Sequence, residues 1–191
     1  MSQMPDIAII VLAAGSSRRF GSADKLQADI NGRSMLAISL TAYEQLNDRR
    51  KIAVLAPDSP LETICQAAGF DTVSNPRAAQ GMGTSIAAGI AAIDGATHAL
   101  IGFGDMPYLS PETPPLLAKA IDKDCSIIVP THKGQRGHPV LFAATHFPLL
   151  KKLEGDKGGR GIIAACPNVL DFAVHDAGIC ADIDTQEALP S

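Results

Sequence analysis

The stretch IAIIVLAAGSSRRFGSADK, residues 7–25, begins with a short run of β-branched and aliphatic residues and passes without a break into a turn of Ala, Gly and Ser. An apolar run of this length without alternation is expected of a strand buried on both faces, which places it in a parallel sheet covered by helices. The turn then carries Arg18, Arg19 and, a few residues on, Lys25. Two readings of it are open: an anion site, or a strand-to-helix connection with a solvated basic rim. Ala13, Ala14 and Gly15 are small enough to let backbone N–H groups approach a ligand, and Ser16 and Ser17 add hydroxyl donors. Arg19 could fork onto phosphate oxygens and Lys25 could add a point charge.

Outward from this stretch the same alternation recurs. Strands are expected at Ile7–Leu12, Ile52–Ala56, Thr72–Ser74, His98–Phe103, Ser126–Val129, Pro139–Phe142 and Val169–Val174, and helices at Met35–Leu46, Leu61–Ala68, Ser85–Ile93 and Pro111–Ile121. Thr84 or Ser85 is the expected cap of the third helix. The fold class is α/β: a three-layer, Rossmann-like, mostly parallel sheet with helices on both faces. At 191 residues, with no repeat, low-complexity tract or linker, the chain is expected to form one domain spanning 1–191.

Composition narrows the function classes. The net charge of −4 lacks the clustered cations that duplex nucleic acid demands, so no nucleic-acid partner is expected. No apolar run reaches the length of a membrane span, and the start MSQMPD has no signal-peptide pattern, so neither membrane association nor export is expected and a cytoplasmic location is. Cys65, Cys125, Cys166 and Cys180 form no CxxC pair and are expected as buried free thiols. His132 and His138 lack the spacing of a helical zinc pair.

In open parallel sheets ligands bind at the carboxyl ends of the strands. The loops expected there are residues 12–25, NPRAAQGMGTS from Asn75, GDMP with Asp105, and GQRGHPVLF with His138. Asp105, at a strand end, suits Mg²⁺, which takes one or two carboxylates plus substrate phosphates; the alternative is a cap for the helix that starts near Ser110. Gly81 and Gly83 could lie against a flat base, or could serve close helix packing. Asp182 and Asp184 in DIDT fall on one side of an extended segment.

Taken together, LAAGSSRRFG with Lys25, NPRAAQGMGTSIAAGI, GDMP, GHPVLF, GDKGGR and DIDT resemble the molybdenum cofactor cytidylyltransferase family, within the molybdopterin-guanylyl-transferase-like nucleotidyltransferases. The resemblance covers nearly the whole chain and implies a nucleotide-diphospho-sugar transferase-like fold that condenses a nucleoside triphosphate with a phosphorylated acceptor. It implies nucleotide contacts from Leu12, Ala13, Ala14, Gly15 and Ser16, phosphate binding and catalysis by Arg19 and Lys25, and Mg²⁺ as cofactor on Asp105 and Asp184, with Asp182 as the fallback. The loop with Asn75, Gly81, Gly83 and Ser85 would hold the base, and His138, Asp156 and Arg160 would face the pterin acceptor. The substrates implied are CTP and molybdopterin, with a molybdenum hydroxylase apo-enzyme as client. The guanylyl branch typically has LAGG and GPLAG where this chain has LAAG and GMGTSIAAG. The chain departs from the pattern in Phe20, where Met is usual, and in Gln186-Glu187, where Pro-Glu is common. A guanylyl or sugar-phosphate nucleotidyltransferase, a redox enzyme and a non-catalytic cofactor-carrying chaperone are the competing readings.

Overall fold

The computed structural model describes residues 5–15, 25–121 and 125–181. Strand β1, Ile7–Leu12, has all six side chains buried. It pairs in parallel with β4, Lys51–Leu55, on one side and with β6, His98–Phe103, on the other. Beyond β4 lies β5, Asp71–Ser74, also parallel. Beyond β6 the order continues through β9, Val140–Ala143, β7, Ile127–His132, and β10, Val169–Ala173. Strand β9 runs against both of its neighbours, so β7 and β10 return to the direction of β1.

Successive side chains of a strand point to opposite faces, and β1 divides accordingly. Ile7, Ile9 and Val11 join one apolar cluster with Met35, Leu40, Leu61 and Leu117, whereas Ala8, Ile10 and Leu12 join a second with Ile86, Ile90 and Leu150. The first cluster is closed by helices α1, Met35–Thr41, α2, Glu62–Ala67, and α4, Thr113–Lys119. The second is closed by α3, Met82–Ala91, α5, Phe147–Leu150, and α6, Arg160–Ala165. Burying one such Ile or Leu side chain fully contributes about 1.5–3 kcal/mol, so a strand covered on one face only would forgo half of that gain.

The expected strands are all present, β1 and β6 to the residue and the others with ends shifted by up to three residues, and the first, second and fourth helices are shorter than their apolar periodicity predicts, while the third begins three residues earlier and ends two earlier. The first stops at Thr41 and resumes as a 3₁₀ turn at Glu44–Leu46, because Tyr43 leaves helical geometry and turns its ring into the core. The third starts at Met82 with Gly81 at its N-cap, so neither Thr84 nor Ser85 caps it. Unforeseen are α5, α6 and two tight hairpins: β2, Asp29–Ile30, with β3, Arg33–Ser34, and β8, Gln135–Arg136, folding back on β7. Their turns place Asn31-Gly32 and Lys133-Gly134 at positive φ, the geometry of two-residue hairpin loops. The thiols also differ from expectation: only Cys65 is buried, and Cys125, Cys166 and Cys180 are half-buried at loop or helix ends. No helix among the described residues is long and apolar enough to cross a membrane.

Gly102 in β6 faces the Tyr43 ring so closely that an added Cβ would meet the phenol oxygen, with the ring Cζ at 3.3 Å. Gly102→Ala should lower stability by about 1–3 kcal/mol through overpacking, read by urea denaturation. Adding Tyr43→Phe removes the clashing oxygen and should recover most of the loss; a double variant no more stable than Gly102→Ala would show that the crowding lies elsewhere.

Candidate active site

All strands of the large sheet except β9 and the short β8 end on one edge, and there the loops singled out in the sequence meet. Ala13 N–H bonds Val54 O at 2.9 Å and Gly104 N–H bonds Leu12 O at 3.0 Å, so the exits of β1, β4 and β6 are tied together. An added Cβ on Gly104 would lie 2.9 Å from Leu36 Cδ1 and 3.3 Å from Ala13 Cβ, which fixes how near the residue after it stands to the first loop. Leu12, Ala13 and Ala14 are buried and Gly15 is exposed with open space around it. Ser16 and Arg19 lie outside the described residues.

The described chain re-enters at Lys25, which opens a 3₁₀ turn anchored by buried Leu26. Its Nζ stands 2.8 Å from Asp105 Oδ2, and the two side chains are 12% and 24% exposed. The cation foreseen for phosphate and the acid foreseen for a metal are therefore one charge-assisted pair, partly shielded and still reachable from solvent. A carboxylate that already accommodates an ammonium, at the carboxyl edge of a parallel sheet, has the donor chemistry of a Mg²⁺ ligand.

The competing role for Asp105, capping the helix after it, is not what the structure shows: α4 has Glu112 at its N-cap with no side-chain cap bond, and the segment leading into it is held by another acid. Asp176 is 9% exposed; its Oδ2 accepts from Ser110 N at 3.0 Å and from Thr113 Oγ1 at 2.6 Å, and its Oδ1 accepts from Gly178 N at 2.8 Å. Gly178 packs on the Tyr108 carbonyl and Gly137 on that of Ile179, which also accepts from His138 N at 2.9 Å. The segment 176–181 is thus clamped across the Asp105 loop and the GHP loop. Asp182 and Asp184, beyond it, lie outside the described residues, as do Phe20, Gln186 and Glu187. Sequence reasoning missed Asp176. The local HDAG pattern signals only its turn to Gly178, and the bonds that matter most span more than sixty residues.

The base and acceptor loops, assigned separately in the sequence, pack as one body. An added Cβ on Gly81, at φ 119°, would run into Gly155 and come within 2.6 Å of Asp156 Oδ1, and one on Gly83 within 2.9 Å of Glu154 and Gly155. Gly83 N donates to Gly155 O at 2.7 Å and Gly81 N to Ala78 O at 3.1 Å, so both amides are committed within the chain. Asn75, 3% exposed, donates from Nδ2 to Thr84 Oγ1 and Ser85 Oγ at 2.9 and 3.0 Å and accepts Arg77 N at 3.0 Å. Asn75, Ser85 and the two glycines accordingly shape this loop from inside, and the close-packing reading of the glycines has direct geometric support. Met82 stands exposed between them. His138 and Phe103 pack edge to face with ring centroids 4.4 Å apart, while Asp156 and Arg160 are exposed.

The sequence profile of the MobA-like NTP transferase domain matches residues 9–169. The purine catabolism protein PucB of Bacillus subtilis is 30% identical over 93% of this chain and 91% of its own. Nicotine blue oxidoreductase of Paenarthrobacter nicotinovorans is 25% identical over 98% and 97%. Among solved structures, Rv0371c of Mycobacterium tuberculosis in complex with manganese superposes with a TM-score of 0.72 at 25% identity, covering 88% of each chain.

Because one buried carboxylate holds three donors, Asp176→Ala should cost about 2–4 kcal/mol, the range for stranding hydrogen bonds to a charged group. Hydrogen exchange at the Ser110 and Gly178 amides should rise well above that of β1. Unchanged protection at both amides would show that the clamp does not depend on this side chain.

Proposed function

Since this chain belongs to the MobA-like NTP transferase family, a family of nucleotidyltransferases, we propose that it transfers CMP from CTP to the terminal phosphate of molybdopterin and releases pyrophosphate. The observation that carries this reading is the Lys25–Asp105 pair at the joined ends of β1 and β6. It sets a cation and an acid beside the Ala13–Gly15 turn, the combination that a nucleoside triphosphate with its metal requires. The manganese complex of the M. tuberculosis protein supports divalent metal use.

In the proposed reaction an oxygen of the acceptor phosphate attacks the α-phosphorus of CTP as the bond to the β-phosphate breaks. An acceptor phosphate is ionised near neutrality, so no strong general base is called for. Lys25 and Arg19 bind the triphosphate and neutralise the charge that builds on the leaving pyrophosphate, while the turn at Leu12, Ala13, Ala14, Gly15 and Ser16 cradles the nucleotide. Asp105, with Asp184 or Asp182, holds Mg²⁺. When bound, the metal supplies charge neutralisation at the phosphate oxygens. Asp105 would hold the metal and the Lys25 ammonium beside it would bind phosphate oxygens. The body formed by Gly81, Gly83 and the 154–160 loop, with Asn75 and Ser85 bracing it, orients the base on one side. The acceptor lies along His138, Asp156 and Arg160.

Cytosine is favoured over guanine by the LAAG and GMGTSIAAG patterns. Pyrophosphate release measured with each of the four nucleotides, with and without molybdopterin and Mg²⁺, should be seen with CTP only when acceptor and metal are both present. Release with GTP alone would move the chain to guanylyl transfer, and release with a sugar phosphate but not the pterin would replace the acceptor. Pterin binding without any release would make the chain a carrier. Asp105→Asn should reduce turnover by about 100-fold or more with the fold intact. Lys25→Ala should raise the KM for CTP by about tenfold or more, the equivalent of one lost charge-assisted bond. Undiminished turnover in the first variant, or an unchanged KM in the second, would remove that residue from the site.

A further inference from the structure

A second group of reactive side chains stands at the opposite edge of the sheet, where β7 and β10 begin and β9 ends. Ser126 precedes β7, Cys166 follows the last turn of α6, and His146 closes the 3₁₀ turn Ala144–His146 after β9. Ser126 Oγ lies 3.2 Å from Cys166 Sγ and 2.9 Å from His146 Nε2, with Sγ and Nε2 3.8 Å apart. Three elements separated in sequence thus deliver a thiol, a hydroxyl and an imidazole to one point. The hydroxyl is fixed there by its own backbone: Ser126 N donates to Asn168 O at 3.1 Å, and Ser126 O accepts from Ala143 N at 2.8 Å. The imidazole is braced against the edge of the Phe142 ring. All three residues are half-buried, so the sulfur is sheltered yet within reach of a small reagent.

The nucleophilic form of cysteine is the thiolate, and a neutral imidazole in hydrogen-bond relay with the thiol supplies it. Burial lowers the His146 pKa and keeps the ring neutral, and its Nε2, 2.9 Å from Ser126 Oγ, is placed to accept the Ser126 hydroxyl hydrogen. Cys65 is buried and its pKa is pushed up to about 11 by burial and by the charge of Glu62. Cys125 Sγ lies 4.0 Å from Ala120 O, and Cys180 Sγ lies 3.8 Å from the carbonyl oxygens of Gln135 and Arg136.

We propose that Cys166 is a reactive thiol, deprotonated through the Ser126 hydroxyl onto His146, and that it is this chain's site of oxidation by hydroperoxides. The thiol proton passes to Ser126 Oγ as the Ser126 hydroxyl proton moves to Nε2. The thiolate attacks one peroxide oxygen; the S–O bond forms as the O–O bond breaks. Sulfur is oxidised by two electrons to a sulfenic acid, the hydroperoxide is reduced to an alcohol or, for hydrogen peroxide, to water, and His146 returns the proton to the departing oxygen.

The test exposes the reduced full chain at neutral pH to hydrogen peroxide with dimedone as sulfenic-acid trap, and reads labelling of each cysteine by peptide mass spectrometry. Cys166 should label about tenfold or more faster than Cys125 and Cys180, with Cys65 slowest. Ser126→Ala and His146→Gln, checked by thermal melts to be folded, should each bring Cys166 down to the rate of Cys125 and Cys180. Labelling of Cys166 no faster than those two in the unaltered chain overturns the proposal, whatever the variants do. So does an undiminished Cys166 rate in either folded variant.

Discussion

Everything in this chain follows from the need to cover β1 on both faces. Its six side chains are all apolar and all buried, three toward each helical layer. A strand of that kind cannot sit at an edge or on a one-sided sheet without leaving apolar surface in water. It therefore sits centrally, between β4 and β6, and the parallel crossovers that such a sheet requires send the chain over one face and then the other. The same crossovers bring the loops after β1, β5, β6 and β7 to one edge. The candidate site is thus a by-product of how a strand without a polar face is buried.

At that edge the acids are divided by task. Asp176 is spent on backbone and hydroxyl donors and serves architecture, whereas Asp105 faces the ammonium of Lys25. The difference is chemical. A carboxylate whose lone pairs are taken by fixed donors has little left for a ligand, while one held by a long, flexible lysine can exchange that partner for another cation.

Much of this was legible in the residues themselves. The uninterrupted apolar runs specified the strands, and β1 and β6 agree to the residue, because burial on both faces leaves an unambiguous pattern. The meeting of the LAAG, GDMP and GHP loops on one edge of the sheet was legible for the same topological reason. What stayed hidden arises from contacts remote in sequence. The packing of Gly81 and Gly83 on residues 154–156 gives the glycines a purpose that no local reading could choose over a base contact. Asp176 looks like any Asp in a turn until the Asp105 loop is folded against it. The Asn31-Gly32 hairpin, by contrast, carried its signal openly in the Asn-Gly pair.

The union of the α3 turn with residues 154–156, sealed by the Gly83–Gly155 bond and the Arg77–Glu154 ion pair at 2.7 Å, bears on how such proteins diversify. A change in either loop is not a separable edit here. A side chain larger than hydrogen at Gly81 or Gly83 displaces the backbone of residues 154–156, and a different length around Gly155 displaces the head of α3. The two loops are inherited as a matched pair, and a graft of either one alone would import a partner that no longer fits.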